Sequence, residues 1–187
     1  MEAEGPPALS AALRHAVFPG GARLRPRLCM AVAAAAENDA PVLVQATACA
    51  LELLHCASLV HDDLPCFDDA QTRRGLPSVH QRFGEPLAVL VGDALIVAAF
   101  ETLARGSAAA PGRLPALVTM LARAAGTPFG LVAGQAWESE PNVVLRHYHH
   151  AKTGAMFVAS AMAGAVAAGR DPEPWRPVGA YLGEAYQ

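Results

Sequence analysis

Apolar residues recur with the 3.6-residue period of an α-helix along most of the chain. The longest example runs from about Pro41 to Asp63, with one apolar face made of Leu43, Ala46, Ala50, Leu53, Leu54, Ala57 and Val60. The same period predicts further helices at Leu9–Val17, Arg25–Ala36, Leu87–Ala104, Leu114–Ala125, Phe129–Glu138, Leu145–Ala168 and Pro174–Gln187. A polar loop is predicted at Asp68–Ser78, and no run shows the alternation of a β-strand. The pattern therefore predicts an all-α bundle that forms a single domain over residues 1–187.

Composition favours helices, because 53% of the residues are hydrophobic while only 6% are aromatic, so that Ala, Leu and Val dominate. The net charge of −3 gives no reason to expect a nucleic-acid partner, which usually selects a basic surface. No run reaches the ~20 uninterrupted apolar residues of a membrane span, and the first residues lack the pattern of a secretory signal. We therefore expect a soluble, cytoplasmic protein with no membrane span.

The cysteines point to the same compartment. None of them has CxxC spacing, and all have apolar neighbours in the sequence: Cys29, Cys49, Cys56 and Cys66. Buried free thiols are the better interpretation than a disulfide framework.

The densest group of polar residues runs from His61 to Asp69 and contains four aspartates within eight positions. Carboxylates so close together repel one another unless a cation is bound, and carboxylate oxygens are preferred ligands of Mg²⁺. Pro65 removes a backbone hydrogen bond and distorts this turn, which would let Asp62 and Asp68 converge. A solvated helix end is the simpler alternative. It is less favoured, because acidic residues at a helix C-terminus oppose the helix dipole.

Arginines lie on both sides of this aspartate-rich segment. Arg73 and Arg74 follow it, and three more follow a Gly-Gly turn nearer the N-terminus: Arg23, Arg25 and Arg27. Each group alone is typical of a solvated face or of surface ion pairs, which contribute roughly 0–1 kcal/mol each. Arginine also binds diphosphate through two parallel hydrogen bonds. Beside carboxylates suited to Mg²⁺, the arginines favour phosphate chemistry.

From Phe18 to Gln187 these motifs resemble, in order and spacing, those of the trans-type polyprenyl diphosphate synthases. The matching segments are Gly20–Pro26 (GGARLRP), the aspartate-rich segment with Arg73-Arg74-Gly75, Gly134-Gln135, Lys152-Thr153-Gly154 and Gln187. The segments HCASLVH at 55–61 and GQAWESE at 134–140 resemble most closely the geranylgeranyl diphosphate synthases of bacterial carotenoid and bacteriochlorophyll pathways. The resemblance implies an isoprenoid-synthase-type helical bundle. It also implies Mg²⁺-dependent head-to-tail transfer of a prenyl group from an allylic diphosphate to isopentenyl diphosphate.

The resemblance assigns a role to each matching residue. The implied metal ligands are Asp62 and Asp68. The residues implied to bind the allylic diphosphate are Arg73, Lys152, Thr153 and Gln187. Those implied to bind the diphosphate of isopentenyl diphosphate are Arg25, His55 and Arg74. The residues implied to act directly in the reaction are Asp62, Asp68, Arg73 and Lys152.

The chain departs from the family pattern in two places. Ala22 stands where the family has a lysine, which removes one cation from the implied isopentenyl diphosphate pocket. The family's second aspartate motif, expected directly after Gln187, is absent from the 187 residues. We therefore expect a bundle that lacks its C-terminal portion and a chain that turns over little substrate by itself. The alternative is a non-catalytic homologue that binds and modulates a partner prenyl synthase.

Two small residues, Ala57 and Ser58, precede Asp62 by four to five positions, roughly 6–7.5 Å along a helix. In the family, bulky residues here form the floor of the tunnel for the growing chain. Small residues therefore favour a C20 product over a C15 product, although ordinary packing is the simpler alternative. Because the family commonly dimerises, a homodimer is expected.

Overall fold

The computed structural model describes residues 5–18, 20–143, 145, 148 and 150–186. The helices are α1 (Pro7–Val17), α2 (Leu24–Ala35), α3 (Pro41–Asp62), α4 (Val79–Phe83), α5 (Glu85–Gly106), α6 (Leu114–Ala125), α7 (Leu131–Trp137), α8 (Ala155–Ala167) and α9 (Arg176–Tyr186). Short 3₁₀ turns lie at Ser107–Ala109, Pro111–Arg113 and Glu173–Trp175, and a π-helical turn at His150–Gly154. The helical period in the sequence reproduces most of these bounds within a few residues. The helix predicted at Leu145–Ala168 is an exception, because α8 begins only at Ala155, after the π-helical turn, and α4 was not predicted.

The chain divides into two compact units. The first unit contains residues Met1–Arg23 and Leu53–Ala99, and the second contains Leu24–Glu52 and Phe100–Gln187. Helices α3 and α5 contribute residues to both. A single domain over residues 1–187 stays a prediction.

The core of the first unit consists of buried residues from α1, α3, α4 and α5, together with Leu64 from the turn after α3. They are Ala12, Cys56, Ala57, Val60, Leu64, Val79, Ala88, Val91 and Leu95. Helix α1 packs against the short α4, and the His15 ring meets the Phe83 ring edge-on with centroids 5.4 Å apart. This core supports the C-terminal end of α3 and the segment that follows it.

The second unit is built around α8, which is buried on nearly all sides and packs against α2, α6 and α9. Val32 of α2 contacts Ala161 and Ala165 of α8, with Leu28 and Trp175 at the margin of this cluster. Small side chains on α8 allow its neighbours to approach closely, as the Ala-rich sequence indicates.

Two features of the segment from residue 68 to residue 84 were not predicted from the sequence: a pair of short strands and the short helix α4. Strand β1 (Thr72–Arg73) pairs antiparallel with β2 (Leu76–Pro77), so the prediction of no β-strand was wrong. Strands of two residues are too short to show alternation, and the turn between them is set by backbone conformation instead. Both Arg74 and Gly75 have positive φ, 54° and 79°, as a tight hairpin turn requires.

The cysteines partly contradict the sequence prediction. Cys29 and Cys56 are buried free thiols, whereas Cys49 and Cys66 are exposed. Apolar neighbours in the sequence do not fix burial, because position 49 lies on an outward face of α3 and position 66 lies in the turn beyond it. Burial raises the pKa of the Cys29 thiol to about 12, and the neighbouring Cys49 contributes in the same direction.

Two helical segments, Pro41–Asp62 and Glu85–Ala109, are long and apolar enough to cross a membrane by length and composition alone. Of their most apolar windows, 61% and 33% respectively is buried within the structure. This is weak evidence for a span, because core helices of soluble proteins meet the same criterion. The absence of a membrane span therefore stays a prediction.

Candidate functional site: an aspartate-rich turn and an arginine hairpin

The aspartate-rich segment forms a tight reversal at the end of α3. The helix ends at Asp62, and the chain then turns back so that the amide of Asp68 donates to the carbonyl of Asp62 at 3.0 Å. Within this turn the amide of Asp69 donates to the carbonyl of Leu64 at 3.1 Å. Pro65 lies in this reversal. It has no backbone N–H and could not donate the hydrogen bond that would continue the helix.

This reversal brings two of the predicted site residues together. A carboxylate oxygen of Asp62 lies within 4.8 Å of one of Asp68. Two oxygens bound to one Mg²⁺ at about 2.1 Å lie at most about 4.2 Å apart. A small rotation of either side chain would therefore let both carboxylates bind the same ion, and the donor set fits Mg²⁺.

Asp63, which directly follows Asp62, has a different environment. Its side chain is only 2% exposed and forms an ion pair with Arg73, which is 36% exposed. Arg73 donates through Nε to Oδ1 of Asp63 at 2.9 Å and through Nη2 to the same oxygen. The hydrogen bond that Arg73 donates to Asp63 raises the pKa of the Arg73 guanidinium. The four aspartates are therefore not equivalent, and Asp63 holds an arginine.

The β1–β2 hairpin also carries Arg74, which directly follows Arg73. Arg74 lies at its tip and packs against Gly21, where an added Cβ would be only 2.8 Å from Nε of Arg74. His15 of α1 donates from Nε2 to the carbonyl of Pro77 at 2.8 Å, which ties the hairpin to α1. A cavity of about 30 Å³, enough for one or two water molecules, lies beneath both arginines.

Three further predicted residues lie on α3 within the first unit. His55 is half-buried two helical turns before Asp62, and its carbonyl accepts a hydrogen bond from the Ser58 hydroxyl at 2.8 Å. Ala57 is buried in the core of this unit, whereas Ser58 is half-buried. The roles predicted for them stay predictions.

Lys152 and Thr153 lie in the second unit, within the π-helical turn that precedes α8. Turns of this kind are frequent at functional sites. Nζ of Lys152 donates to Oε1 of Glu138 at 2.5 Å, and the Tyr148 hydroxyl donates to the same oxygen. Gln135 donates from Nε2 to the other oxygen of Glu138 at 3.0 Å. Glu138 thus gathers three donors around one carboxylate.

The protonation of this cluster follows from these contacts. Burial acts to raise the pKa of Glu138, but the hydrogen bonds from Lys152 and Tyr148 outweigh it and hold that pKa below its ordinary value. Burial, together with the hydrogen bond to Glu138, raises the pKa of Tyr148. At neutral pH Glu138 is therefore an ionised carboxylate and Tyr148 is a neutral phenol.

The backbone of α7 touches the turn that carries Lys152. A Cβ on Gly134 would lie 2.6 Å from the amide nitrogen of Lys152 and 2.7 Å from its Cα. No side chain fits between these two backbones, which accounts for glycine at this position of the Gly-Gln motif.

The remaining predicted residues are Arg25 and Gln187. Arg25 lies on α2 in the second unit, where it is only 7% exposed and its guanidinium lies 5.0 Å from the centre of the Phe157 ring. Gln187 lies outside the described residues.

The family model described as polyprenyl synthetase matches residues 6–187. The chain belongs to the polyprenyl synthetase family. It is 58% identical over 184 residues to a geranylgeranyl diphosphate synthase of Cereibacter sphaeroides, covering 98% of this chain and 64% of that protein. It is 53% identical to one of Rhodobacter capsulatus, with the same coverage. The chain thus spans slightly less than two thirds of the length of these two relatives.

Solved structures of the polyprenyl synthetase family share the fold. A geranyltransferase of Legionella pneumophila has a TM-score of 0.88 at 33% identity, covering 98% of this chain and 68% of that one. An FPP/GFPP synthase of Zymomonas mobilis has a TM-score of 0.89 at 35% identity, covering 96% of this chain and 68% of that one. The prediction of an all-α bundle of the isoprenoid-synthase type is confirmed.

The contacts of three residues were not predicted from the sequence: those of Asp63 in the first unit, and those of Glu138 and Tyr148 in the second. Asp63 directly follows Asp62, but a step of one residue turns a helix by about 100°, which directs it inward. The only signal for Glu138 and Tyr148 was their nearness to the Gly-Gln and Lys-Thr-Gly motifs. Their convergence on Lys152 depends on the fold.

Proposed function

We propose that the protein is a Mg²⁺-dependent prenyltransferase that acts as a polyprenyl diphosphate synthase. Its proposed substrates are an allylic diphosphate and isopentenyl diphosphate. The proposed product is geranylgeranyl diphosphate. The observation that carries this proposal is the convergence of Asp62 and Asp68 at the end of α3, followed by the Arg73–Arg74 hairpin. The 58% identity to a geranylgeranyl diphosphate synthase supports the choice of product.

Asp62 and Asp68 would hold Mg²⁺ in this proposal, because their oxygens approach closely enough to share an ion. Magnesium, when bound, supplies positive charge that stabilises a departing diphosphate. Arg73 and Lys152 bind the same diphosphate, with Thr153 and Gln187 lining the pocket. A guanidinium has five N–H donors, so one oriented by Asp63 through Nε and Nη2 retains Nη1 to bind a phosphate oxygen.

In the proposed reaction the carbon–oxygen bond of the allylic diphosphate breaks, and its electron pair leaves with the diphosphate. A carbon–carbon bond then forms as the double bond of isopentenyl diphosphate attacks the allylic cation. Loss of a proton to the released diphosphate completes the step. Arg25, His55 and Arg74 bind the diphosphate of the second substrate. The fixed cations stabilise charge where it develops, and this stabilisation is usually the largest contribution to such catalysis.

The length of the product is proposed to follow from Ala57 and Ser58. Both side chains are small, and at the half-buried Ser58 a small side chain would leave room for a further isoprene unit. Replacing Ser58 by phenylalanine would fill that room. The proposal therefore expects a shift from C20 towards C15 products in Ser58→Phe.

A homodimer in the cytoplasm is part of the same proposal. Helix α5 exposes Val89, Leu90 and Val97 within the first unit. The exposed Asp93 lies between Leu90 and Val97 on the same helix, so these apolar side chains form an interrupted surface rather than one continuous patch. Apolar side chains exposed together with polar neighbours are typical of an interaction surface. A second copy of the chain is the occupant that a symmetric oligomer would supply.

The test is product analysis with purified protein, isopentenyl diphosphate and allylic primers of five, ten and fifteen carbons, with and without Mg²⁺. A C20 diphosphate that requires Mg²⁺ and is lost in Asp62→Asn, but not in the exposed control Glu101→Gln, supports the proposal. Substrate binding with no product would instead favour a non-catalytic homologue that modulates a partner synthase.

A further inference from the structure

A buried histidine, His80, lies directly after the arginine hairpin, on α4. Its side chain is nearly inaccessible, and the residue is 6% exposed. Nδ1 lies 3.0 Å from Oγ of Ser78, and Nε2 lies 3.4 Å from Oδ1 of Asp69. A buried imidazole needs partners for both nitrogens, and here the two partners come from opposite ends of one segment.

Both ring nitrogens of His80 have polar neighbours. Nδ1 shares a hydrogen bond with the Ser78 hydroxyl at 3.0 Å. Nε2 lies 3.4 Å from a carboxylate oxygen of Asp69 and 3.0 Å from Nε2 of Gln81, so this side of the ring faces the carboxylate and the Gln81 amide together.

The segment between the two partners carries the arginines of the candidate site. It starts at Asp69, next to the predicted metal ligand Asp68, and ends at Ser78. Its backbone closes through the amide of Ser78, which donates to the carbonyl of Gln71 at 3.0 Å, and the amide of Ala70, which donates to the carbonyl of Asp63 at 3.2 Å. His80 is the side chain that contacts both ends of this segment.

The backbone at Asp69 explains why a side-chain anchor matters. Its φ is +46°, a left-handed conformation that is unfavourable for residues other than glycine, although aspartate tolerates it better than most. This conformation turns the chain immediately after Asp68. An anchor on Asp69 therefore also fixes the direction in which the Asp68 carboxylate points.

We propose that His80 is a positioning residue that holds the segment 69–78, so that Asp68 and the Arg73–Arg74 hairpin keep the arrangement needed to bind a Mg²⁺-diphosphate. This inference rests on the proposed function, because the Mg²⁺-diphosphate is the ligand proposed for that site. Its tests measure backbone exchange and binding, so they do not require turnover. Mutating residues that hydrogen-bond to metal ligands without touching the metal typically costs about 10–100-fold in metal affinity or activity.

Three substitutions separate the two contacts. His80→Gln places an amide nitrogen near the position of Nε2 and retains the contact with Asp69. His80→Asn places one near Nδ1 and retains the contact with Ser78. His80→Leu keeps most of the volume and loses both contacts. The control is Ser160→Ala, which removes one buried hydrogen bond from the second unit, where the Ser160 hydroxyl donates to the carbonyl of Met156 at 2.7 Å.

The first measurement is hydrogen–deuterium exchange of the full chain. His80→Leu is expected to increase exchange at the amides of Ala70 and Ser78, while His80→Gln remains close to wild type at Ala70. The second measurement is the affinity for inorganic pyrophosphate at fixed Mg²⁺, by calorimetry. We expect a loss of about 10-fold or more in His80→Leu, partial rescue in His80→Gln, and no change in Ser160→Ala.

Each outcome decides something. Unchanged exchange at Ala70 and Ser78 in His80→Leu overturns the proposal. Increased exchange with wild-type pyrophosphate affinity also overturns it, since His80 would then be structural only. If the wild-type protein binds pyrophosphate with Mg²⁺ but forms no prenyl product, the proposed function falls, and the variants still test the positioning role. If the wild type binds no pyrophosphate at all, the positioning role falls together with the metal site.

Discussion

The ion pair between Asp63 and Arg73 should make a large contribution to the stability of the first unit. Asp63 is 2% exposed and receives hydrogen bonds from both Nε and Nη2 of Arg73. We consider the substitution Asp63→Asn, which keeps the volume and removes the charge. The Arg73 guanidinium then faces an amide, whose NH2 group is itself a hydrogen-bond donor.

The magnitude follows from burial. Removing one partner of a buried ion pair costs about 3–5 kcal/mol, mostly because the other charge is left uncompensated. Arg73 is 36% exposed, so water recovers part of that energy, and the asparagine retains one acceptor oxygen. The expected loss in the free energy of unfolding is therefore about 2–3 kcal/mol.

The assay is urea unfolding followed by circular dichroism on wild type, Asp63→Asn, Arg73→Gln and the double variant. The double-mutant cycle isolates the interaction between the two side chains. We expect a coupling energy of about 1–3 kcal/mol, so that the double variant loses much less than the sum of the single variants. Equal slopes with denaturant would show that the same surface unfolds in each variant. A coupling energy below about 0.5 kcal/mol would refute the reasoning, because the two changes would then be independent.

Three further predictions concern the second unit and α5. In Gly134→Ala the new Cβ would lie 2.6 Å from the amide nitrogen of Lys152, so α7 must move. We expect a loss of about 1–3 kcal/mol in urea unfolding and weaker binding of the allylic diphosphate, and wild-type values would contradict the contact. The pKa of Glu138 is lowered from its ordinary 4.5. The stability it contributes is therefore present above pH 4.5 and is lost as the pH falls through the lower folded value. Glu138→Gln should flatten the stability curve below pH 4.5, and an unchanged curve would show that Glu138 is not the group responsible. In Val97→Asp, a charge on the exposed apolar face of α5 should convert a dimer to a monomer in light scattering, with no change in helix content by circular dichroism. A dimer that persists would place the interface elsewhere.

The sequence predicts the helices well because burial imposes a period on long elements. Helix α6 begins and ends where its apolar pattern does, at Leu114 and Ala125, and α3 ends within one residue of its predicted end. The prolines at the start of α1 and α3 agree with their usual place in the first turn. Periodicity is informative wherever a helix is long enough to have two faces.

Short elements and individual side chains lie beyond that signal. Helix α4 has five residues, and each strand of the hairpin has two. Elements this short contain too few residues for the sequence to show a repeating pattern of apolar positions. Conformation at single residues, such as the positive φ of Arg74, sets these elements instead.

The chemistry of the site was predictable in part for a similar reason. The clustering of Asp62 and Asp68 is local in sequence, so their convergence depends on one turn. The contact of Tyr148 with Glu138, by contrast, joins a residue directly after α7 to one shortly before the π-helical turn. No spacing rule predicts such a contact, because it depends on how the backbones pack at Gly134.

The most direct test of the central claim is the Mg²⁺ dependence of diphosphate binding at the aspartate-rich turn. The affinity of the wild-type protein for an allylic diphosphate is titrated calorimetrically at increasing Mg²⁺, alongside Asp68→Asn and the control Glu101→Gln. We predict that binding requires Mg²⁺ in wild type and control, and that Asp68→Asn raises the required Mg²⁺ concentration at least about 10-fold. Binding that is independent of Mg²⁺, or equal in Asp68→Asn, would contradict a metal-diphosphate site at the end of α3.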